Sequence, residues 1–553
     1  MKKKIFISNI IFFIFIFLYI SYGLNWGLPS NERSLNLFGD RDNLLKQSES
    51  LARTYNLEKK ITNNKIYIDN YLKYQTDQTY EVSTSLALSR FLVVPYAGDD
   101  AFLLKALKNM DPKNLDFDPN YYMYGGGFIY TSAAILKFLE IISIVKLKND
   151  ILFYLTNPEE MGKIYLYLRY IVVFSFLLGL VMFFKFTKSI TDTKHAYLSV
   201  FILIINPEVI ASTHAVEPHA FVFPLFIIAI IFAKKYFDNL NNISLIIYAF
   251  FTGLSIGTQA TSIYLILPFF YIQYVNYRKL LDLKKIFKNF LKFSSISLLS
   301  FLILNPYYIL NFYGMVGDLL VGFDNLLVFK ESNSSILNKF WAPFQISLFL
   351  VILFFSSIFY CYFFILNKYK DFLIILIIPA IIIYLILGGI MQYIFSALAI
   401  FSILSSLMIF DFLKRLNFTF KIICISLFSI FFLVSPITRS FYYLINYNYD
   451  NRLISGNWIN KNVNKNMKIS LSFPPTNWNS LPFNYGNYTL LDRDSALDAD
   501  YVVLVNEKLD NKFKKKFTLK IDFPPKSIFG YRPVLKGEVH AIHAKYINIY
   551  KKN

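Results

Sequence analysis

Twelve apolar runs separated by short basic loops limit what this chain can become. They lie near 5–22, 127–145, 164–184, 196–211, 219–233, 243–257, 259–276, 291–310, 344–366, 371–388, 390–410 and 420–438. An upright membrane-spanning helix needs about 20 such residues. Several runs are shorter, so their boundaries are loose, but no soluble core calls for so many. Composition agrees: 17% of the residues are charged, against about 25% in a soluble domain. Mean hydropathy is +0.44. A soluble globular enzyme, a disordered scaffold and a disulfide-stapled secreted domain are excluded. Cys361 and Cys424 both lie inside apolar runs and are not placed to staple an exposed loop. The fold class is a polytopic α-helical membrane protein.

Lys+Arg 56 against Asp+Glu 36 leaves a net charge of +20. Much of the excess sits in short loops between apolar runs, where it reads as an orientation signal and not as a nucleic-acid surface. The N-terminus begins Met-Lys-Lys-Lys, and no small-x-small cleavage site follows its apolar run. A retained first helix over residues 1–23 is expected, its N-terminus cytoplasmic. Residues 24–126 then form a long, polar first external loop. Basic clusters at Lys185/Lys188/Lys194, Lys234/Lys235, Arg278 to Lys288, Lys368/Lys370 and Lys414/Arg415/Lys421 fall in alternate loops. They place 212–218, 311–342 and the C-terminal region on the side of the first loop. Twelve crossings would instead return the C-terminus to the cytoplasm. The conflict lies between 127 and 184: either 127–145 does not fully cross, or a short crossing is hidden there. An odd number, 11 or 13, is expected. Residues 127–440 make the bundle. Beyond it, 441–553 carry 17 Lys+Arg and 9 Asp+Glu, with short alternating runs between Pro and Asn. That pattern predicts a small extracytoplasmic α/β domain.

Chemistry concentrates in the first loop. Asp99 and Asp100 are adjacent acids at the start of a helical pattern, in Pro95-Tyr-Ala-Gly-Asp-Asp-Ala-Phe-Leu-Leu. One reading is a helix cap and dipole partner. The other is a carboxylate beside the bilayer that serves as general base on a hydroxyl. Some 20 residues on, Tyr121-Tyr-Met-Tyr124-Gly-Gly-Gly leads into the next apolar run. The tyrosines suit an interfacial aromatic belt or a substrate wall, and the glycines permit close backbone approach. Arg169 lies inside an apolar run, where a charge requires a partner or ligand. His214, Glu217 and His219 read as an interfacial polar turn before Pro218, with substrate contact or a divalent metal as alternatives. No nucleotide-binding glycine loop and no HExxH occur.

Taken in order, these residues resemble the GT-C membrane glycosyltransferases, especially the family-39 group related to protein O-mannosyltransferases and aminoarabinose transferases. The resemblance rests on the acidic pair and the Tyr-x-Tyr-Gly-Gly approach to the next helix. It extends to Arg169 in Tyr165-Leu-Tyr-Leu-Arg-Tyr and to Asn206-Pro207 followed by Ser212-Thr-His-Ala-Val-Glu-Pro-His. Gly253-Leu-Ser-Ile-Gly-Thr-Gln-Ala-Thr, Asn305-Pro-Tyr, Trp458-Ile and Ala499-Asp-Tyr-Val-Val continue it. Two positions depart from the family: its acidic pair is usually Asp-Glu, and Met391-Gln392-Tyr393 stands where many relatives carry Arg-Tyr.

The resemblance implies a GT-C-like bundle and transfer of a sugar from a polyprenyl-phosphate carrier to an extracytoplasmic protein, lipid or glycan, with inversion. It implies Asp99 as general base and Asp100 in support. Arg169 would neutralise the lipid phosphate, with Lys330 as another available cation. Tyr121, Tyr124, His214, Glu217, His219, Asn305 and Gln392 would contact substrate. The expected location is the bacterial inner membrane, and no resident metal or cofactor is firmly implied. A transporter or lipid flippase is the alternative, although no half-to-half symmetry is visible. A non-catalytic receptor or assembly subunit, binding through 441–553, is a third reading.

Overall fold

The computed structural model describes residues 2–63, 80–97, 99–280, 282–320, 336–365, 367–386, 395–472, 475, 480–507, 509–510, 513, 515–528, 530 and 545–553. Most of the chain is helical. Helix α1 (Lys2–Ser21) is followed by a first loop whose described residues form α2 (Asn31–Phe38), α3 (Arg41–Asn63), α4 (Tyr80–Val93) and α5 (Asp100–Asn109). Ser30 caps α2 by accepting from Arg33 N, and Gly39 closes it with φ 79°.

Helix α6 (Gly126–Ile141) covers the run whose crossing was in question. Its 16 residues extend about 24 Å, less than the ~30 Å of a bilayer core. The chain turns at once into α7 (Ile151–Thr156), which packs on α3 and α4.

The long α8 (Pro158–Ile190) begins with Pro in its first turn, where the missing N–H costs nothing. The next run breaks at Asn206-Pro207 into α9 (Thr193–Ile204) and α10 (Pro207–Thr213), bent by 68°. Proline removes a helical donor there, and Asn206 restarts the helix by accepting from Glu208 N at 3.0 Å. A short α11 (Pro218–Phe221) leads into α12 (Phe223–Asn239), α13 (Asn242–Thr258), α14 (Leu267–Leu280), α15 (Leu283–Leu304) and α16 (Tyr307–Leu310). Then come α17 (Ile336–Phe364), α18 (Lys370–Ile386), α19 (Phe395–Arg415) and α20 (Phe418–Phe432).

Among the described residues, five helices are long and apolar enough to cross a membrane: Pro158–Ile190, Pro218–Asn239, Leu283–Leu304, Phe395–Arg415 and Phe418–Tyr447. The bent α9–α10 pair makes a sixth if it is one span. Four shorter apolar helices, including Ile7–Ser21 and Asn242–Thr258, fall below that length. The chain is a multi-pass helical membrane protein.

Two helices, α21 (Thr438–Tyr447) and α22 (Asn451–Asn462), join the bundle to a five-stranded sheet of order β2-β1-β3-β5-β4. Its strands are β1 (Lys468–Leu471), β2 (Thr489–Leu491), β3 (Tyr501–Val505), β4 (Phe517–Phe523) and β5 (Ile547–Lys552). β1 pairs in parallel with β2 and β3, while β5 runs antiparallel to β3 and β4. Every residue of β3, Tyr-Val-Val-Leu-Val, is buried, as expected of a central strand covered on both faces. The α/β domain expected after the bundle is present.

Candidate functional site

The two acids at the start of α5 have separated roles. Asp99 stands at the cap position but already has helical torsions (φ −64°, ψ −27°), and its side chain makes no capping bond. The residue is exposed. Asp100 is fully buried. One of its oxygens accepts from Arg169 Nη2 at 2.7 Å and Nε at 3.2 Å, and the other accepts from Val216 N at 2.8 Å. Burial pushes the Asp100 carboxyl above its ordinary value, while the guanidinium and the N–H pull it back. Neither carboxylate caps the helix, so the cap reading of the pair does not describe this turn.

Arg169, 0% exposed on α8, also gives Nη1 to Leu24 O and Trp26 O, each at 2.7 Å. A buried guanidinium needs this many acceptors. The carbonyls come from the turn after α1, where Gly23 and Gly27 take φ of +85° and +63°. A side chain at Gly27 would be strained there, and its Cβ would lie 2.9 Å from the Tyr96 ring. Gly27 O accepts from Tyr96 N at 2.9 Å and from Arg33 Nη2 at 2.6 Å. Asp100, Arg169, Arg33 and the 23–27 turn therefore form one buried knot. The sequence reading missed Trp26, Arg33 and Tyr96. The only local signal was an arginine beside a Pro-Ser turn.

His214 stacks on Tyr447, with centroids 4.2 Å apart and planes at 5°. Its ring nitrogens lie 2.8 Å from Ile210 O and 2.8 Å from Tyr22 O, so a neutral ring donates to only one of them. Glu217 Oε2 lies 3.4 Å from His219 Nε2. Gln259 Nε2 donates to His219 Nδ1 at 2.6 Å, which leaves the proton on the nitrogen that faces Glu217. Among the described residues, no group of three or more His, Cys, Asp or Glu side chains is placed to hold a metal ion.

Tyr121 and Tyr124 stand edge-on, 5.3 Å apart at 88°, and Tyr121 stacks on Phe102 of α5 at 5.5 Å. Burial and the neighbouring Glu217, Tyr121, Asp99 and Asp100 hold the Tyr124 phenol well above its ordinary pKa. That places the acidic pair, Glu217 and both tyrosines in one neighbourhood. Tyr121, Tyr122, Tyr124, Tyr130, Asn305 and Tyr308 line a small pocket there.

Asn305 fixes the pocket floor. Its oxygen accepts from Gly126 N at 2.8 Å, and its amide donates to Gly257 O at 3.0 Å. Gly125 and Gly126 are required by the protein's own backbone, and Gly127 by the Thr258 side chain. A Cβ at Gly125 would lie 2.2 Å from Gly257 O, at Gly126 1.8 Å from Leu304 O, and at Gly127 2.1 Å from Thr258 Oγ1. The rim is held by carboxylates: Asp118 accepts from Tyr122 Oη at 2.6 Å and Asn311 Nδ2 at 2.7 Å, and Asp318 accepts from Tyr122 N at 2.9 Å. Gln392 and Lys330 lie outside the described residues.

The arrangement is a membrane helix bundle with an acidic, aromatic site where the first loop meets it. No family model and no curated protein matches the chain. Solved structures do. ArnT from Cupriavidus metallidurans bound to undecaprenyl phosphate aligns at 11% identity and TM-score 0.41, over 85% of this chain and 95% of that one. The archaeal oligosaccharyltransferase AglB from Archaeoglobus fulgidus, in complex with an inhibitory peptide and a dolichol-phosphate, aligns at 12% and 0.41, over 79% and 70%. The apo form of the Archaeoglobus fulgidus enzyme gives 12% and 0.42, over 78% and 70%.

Proposed function

We propose that this protein transfers a sugar from a polyprenyl-phosphate carrier to a hydroxyl-bearing acceptor at the extracytoplasmic face, with inversion. The observation that carries the reading is the division of labour at α5. Asp100 is held by Arg169 and Val216 N, while Asp99 is exposed in the neighbourhood of Tyr124, one of the tyrosines that line a small pocket. Asp99 takes the acceptor proton as the acceptor oxygen attacks the anomeric carbon. The bond from that carbon to the phosphate oxygen breaks, and its electron pair leaves with the lipid phosphate. Tyr121, Tyr124 and Glu217 face the sugar. Arg169 already serves Asp100 and two carbonyls, so we assign it to holding the turn and leave the phosphate to another cation. The motif order through Asn206-Pro207 and Asn305-Pro-Tyr supports the same class of reaction.

Asp99→Asn in the purified protein, with a polyprenyl-phosphate sugar as donor, tests the reading. Loss of a general base typically costs about 10²–10⁴ in rate. The side chain makes no cap bond, so stability should move by well under ~1 kcal/mol. Turnover close to that of the wild type would remove Asp99 from the mechanism. Transfer from a nucleotide sugar with no lipid present would overturn the donor assignment.

A further inference from the structure

The turn that carries Asp99 is also held from the far end of the chain. Two guanidiniums stack on the Tyr96 ring, Arg33 with its Cζ 4.0 Å from the centroid and Arg452 at 3.6 Å. Tyr96 and Arg452 are 0% exposed and Arg33 2%. Arg33 is fixed by carbonyls, with Nη1 on Phe91 O at 3.0 Å and Val94 O at 3.2 Å. Arg452 comes from α22, whose N-cap Asp450 accepts from Arg452 N and Leu453 N. That helix packs on β4 and β5. A cation over a desolvated aromatic face is attracted by the ring quadrupole, so Arg452 binds the C-terminal domain to Tyr96.

Tyr96 lies three residues before Asp99, and Asp100 follows it. The turn is thus pinned on one side by the Tyr96 stack and on the other by Arg169 and Val216 N. Asp99 sits between the pins, which hold the backbone from which its carboxylate extends. We propose that Arg452 is a positioning residue for Asp99, acting through the Tyr96 ring, and that the C-terminal domain thereby completes the active site. The proposal rests on Asp99 being the base in the function proposed above.

The test uses the full-length purified protein and four variants: Arg452→Met, Tyr96→Leu, the double variant and Tyr96→Phe. Donor KM, kcat and melting temperature are measured for each. Small misplacements of a reacting group cost up to about 10²-fold in rate. Arg452→Met and Tyr96→Leu should each lower kcat by about 10- to 100-fold with donor KM near wild type. The double variant should be little worse than either single one, because both remove the same contact. Tyr96→Phe keeps the ring and removes only the hydroxyl, which neighbours Asp450, so its kcat should fall far less than that of Tyr96→Leu. Should Arg452→Met fail to fold, Arg452→Lys keeps the charge but not the planar group, and it should lower kcat alone. Wild-type kcat in Arg452→Met, a multiplicative double variant, or a Tyr96→Phe as damaged as Tyr96→Leu would each overturn the proposal. A wild-type protein that transfers no sugar overturns only the function reading. The stack is then judged on melting temperatures, where additive shifts in the double variant overturn it.

Discussion

The two ends of the first loop are built with opposite charges. Around Trp26 the organising groups are the buried guanidiniums of Arg33, Arg169 and Arg452, which gather carbonyls, one carboxylate and an aromatic face. Around Tyr122 they are the carboxylates of Asp118 and Asp318, which gather a phenol, an amide and backbone N–H groups. Guanidinium is donor-only and carboxylate acceptor-only, so each draws in what a loop outside regular structure leaves over. The cationic end is buried and fixes Asp100, while the anionic end borders a small tyrosine-lined pocket.

The largest expected effect breaks the cationic end. Arg169→Met leaves Asp100 buried beside Leu24 O and Trp26 O without their donor. Removing one partner of a buried pair costs about 3–5 kcal/mol. The variant should extract poorly from the membrane and melt far below wild type, and adding Asp100→Asn should restore part of the loss. A single variant as stable as wild type would mean that the cationic end is no frame at all.

The next effect tests whether the anionic end is equally rigid. Gly126→Ala puts a Cβ 1.8 Å from Leu304 O, a backbone atom that cannot swing aside. Overpacking of this kind costs about 1–3 kcal/mol, read as a lower melting temperature together with a raised donor KM as the pocket floor shifts. Unchanged stability would show that α6 gives way and that the anionic end is the soft one.

Much of the anionic end was legible in the sequence, and little of the cationic end. Tyr121, Tyr124, Gly126 and Asn305 belong to short, dense local patterns, and the structure brings them to one small pocket. Arg33, Tyr96 and Arg452 are single residues from three distant segments, and no spacing rule links them. The start of α5 was readable at Asp99-Asp100, but the two carboxylates' fates depend on Arg169 and Val216, which only tertiary packing supplies. Hydropathy marked 127–145 as apolar without saying which side α6 ends on, because it measures affinity for an apolar setting and not direction. Gln392 and Lys330 fall outside the described residues, so the late departure from the family pattern has no structural account.

The smallest expected effect is a gain, and it probes whether the cationic end has more positive charge than it can use. Lys545, just before β5, is part-buried; burial and then the nearby Arg452 push its ammonium from 10.5 down to about 8. The unfolded chain therefore keeps between pH 8 and 10.5 a proton that the folded chain has released. Stability should rise with pH across that window and carry its full penalty at pH 7. Discounted for the side chain's partial exposure, the penalty is about 1 kcal/mol. Lys545→Met removes the charge and keeps the apolar stem, so it should melt above wild type at pH 7.5, with the gap closing by about pH 10.5. Melting curves of the two proteins at both pH values decide the matter. A gap of the opposite sign, or one indifferent to pH, would mean that Lys545 is needed where it stands and that the charges at this end of the loop are balanced.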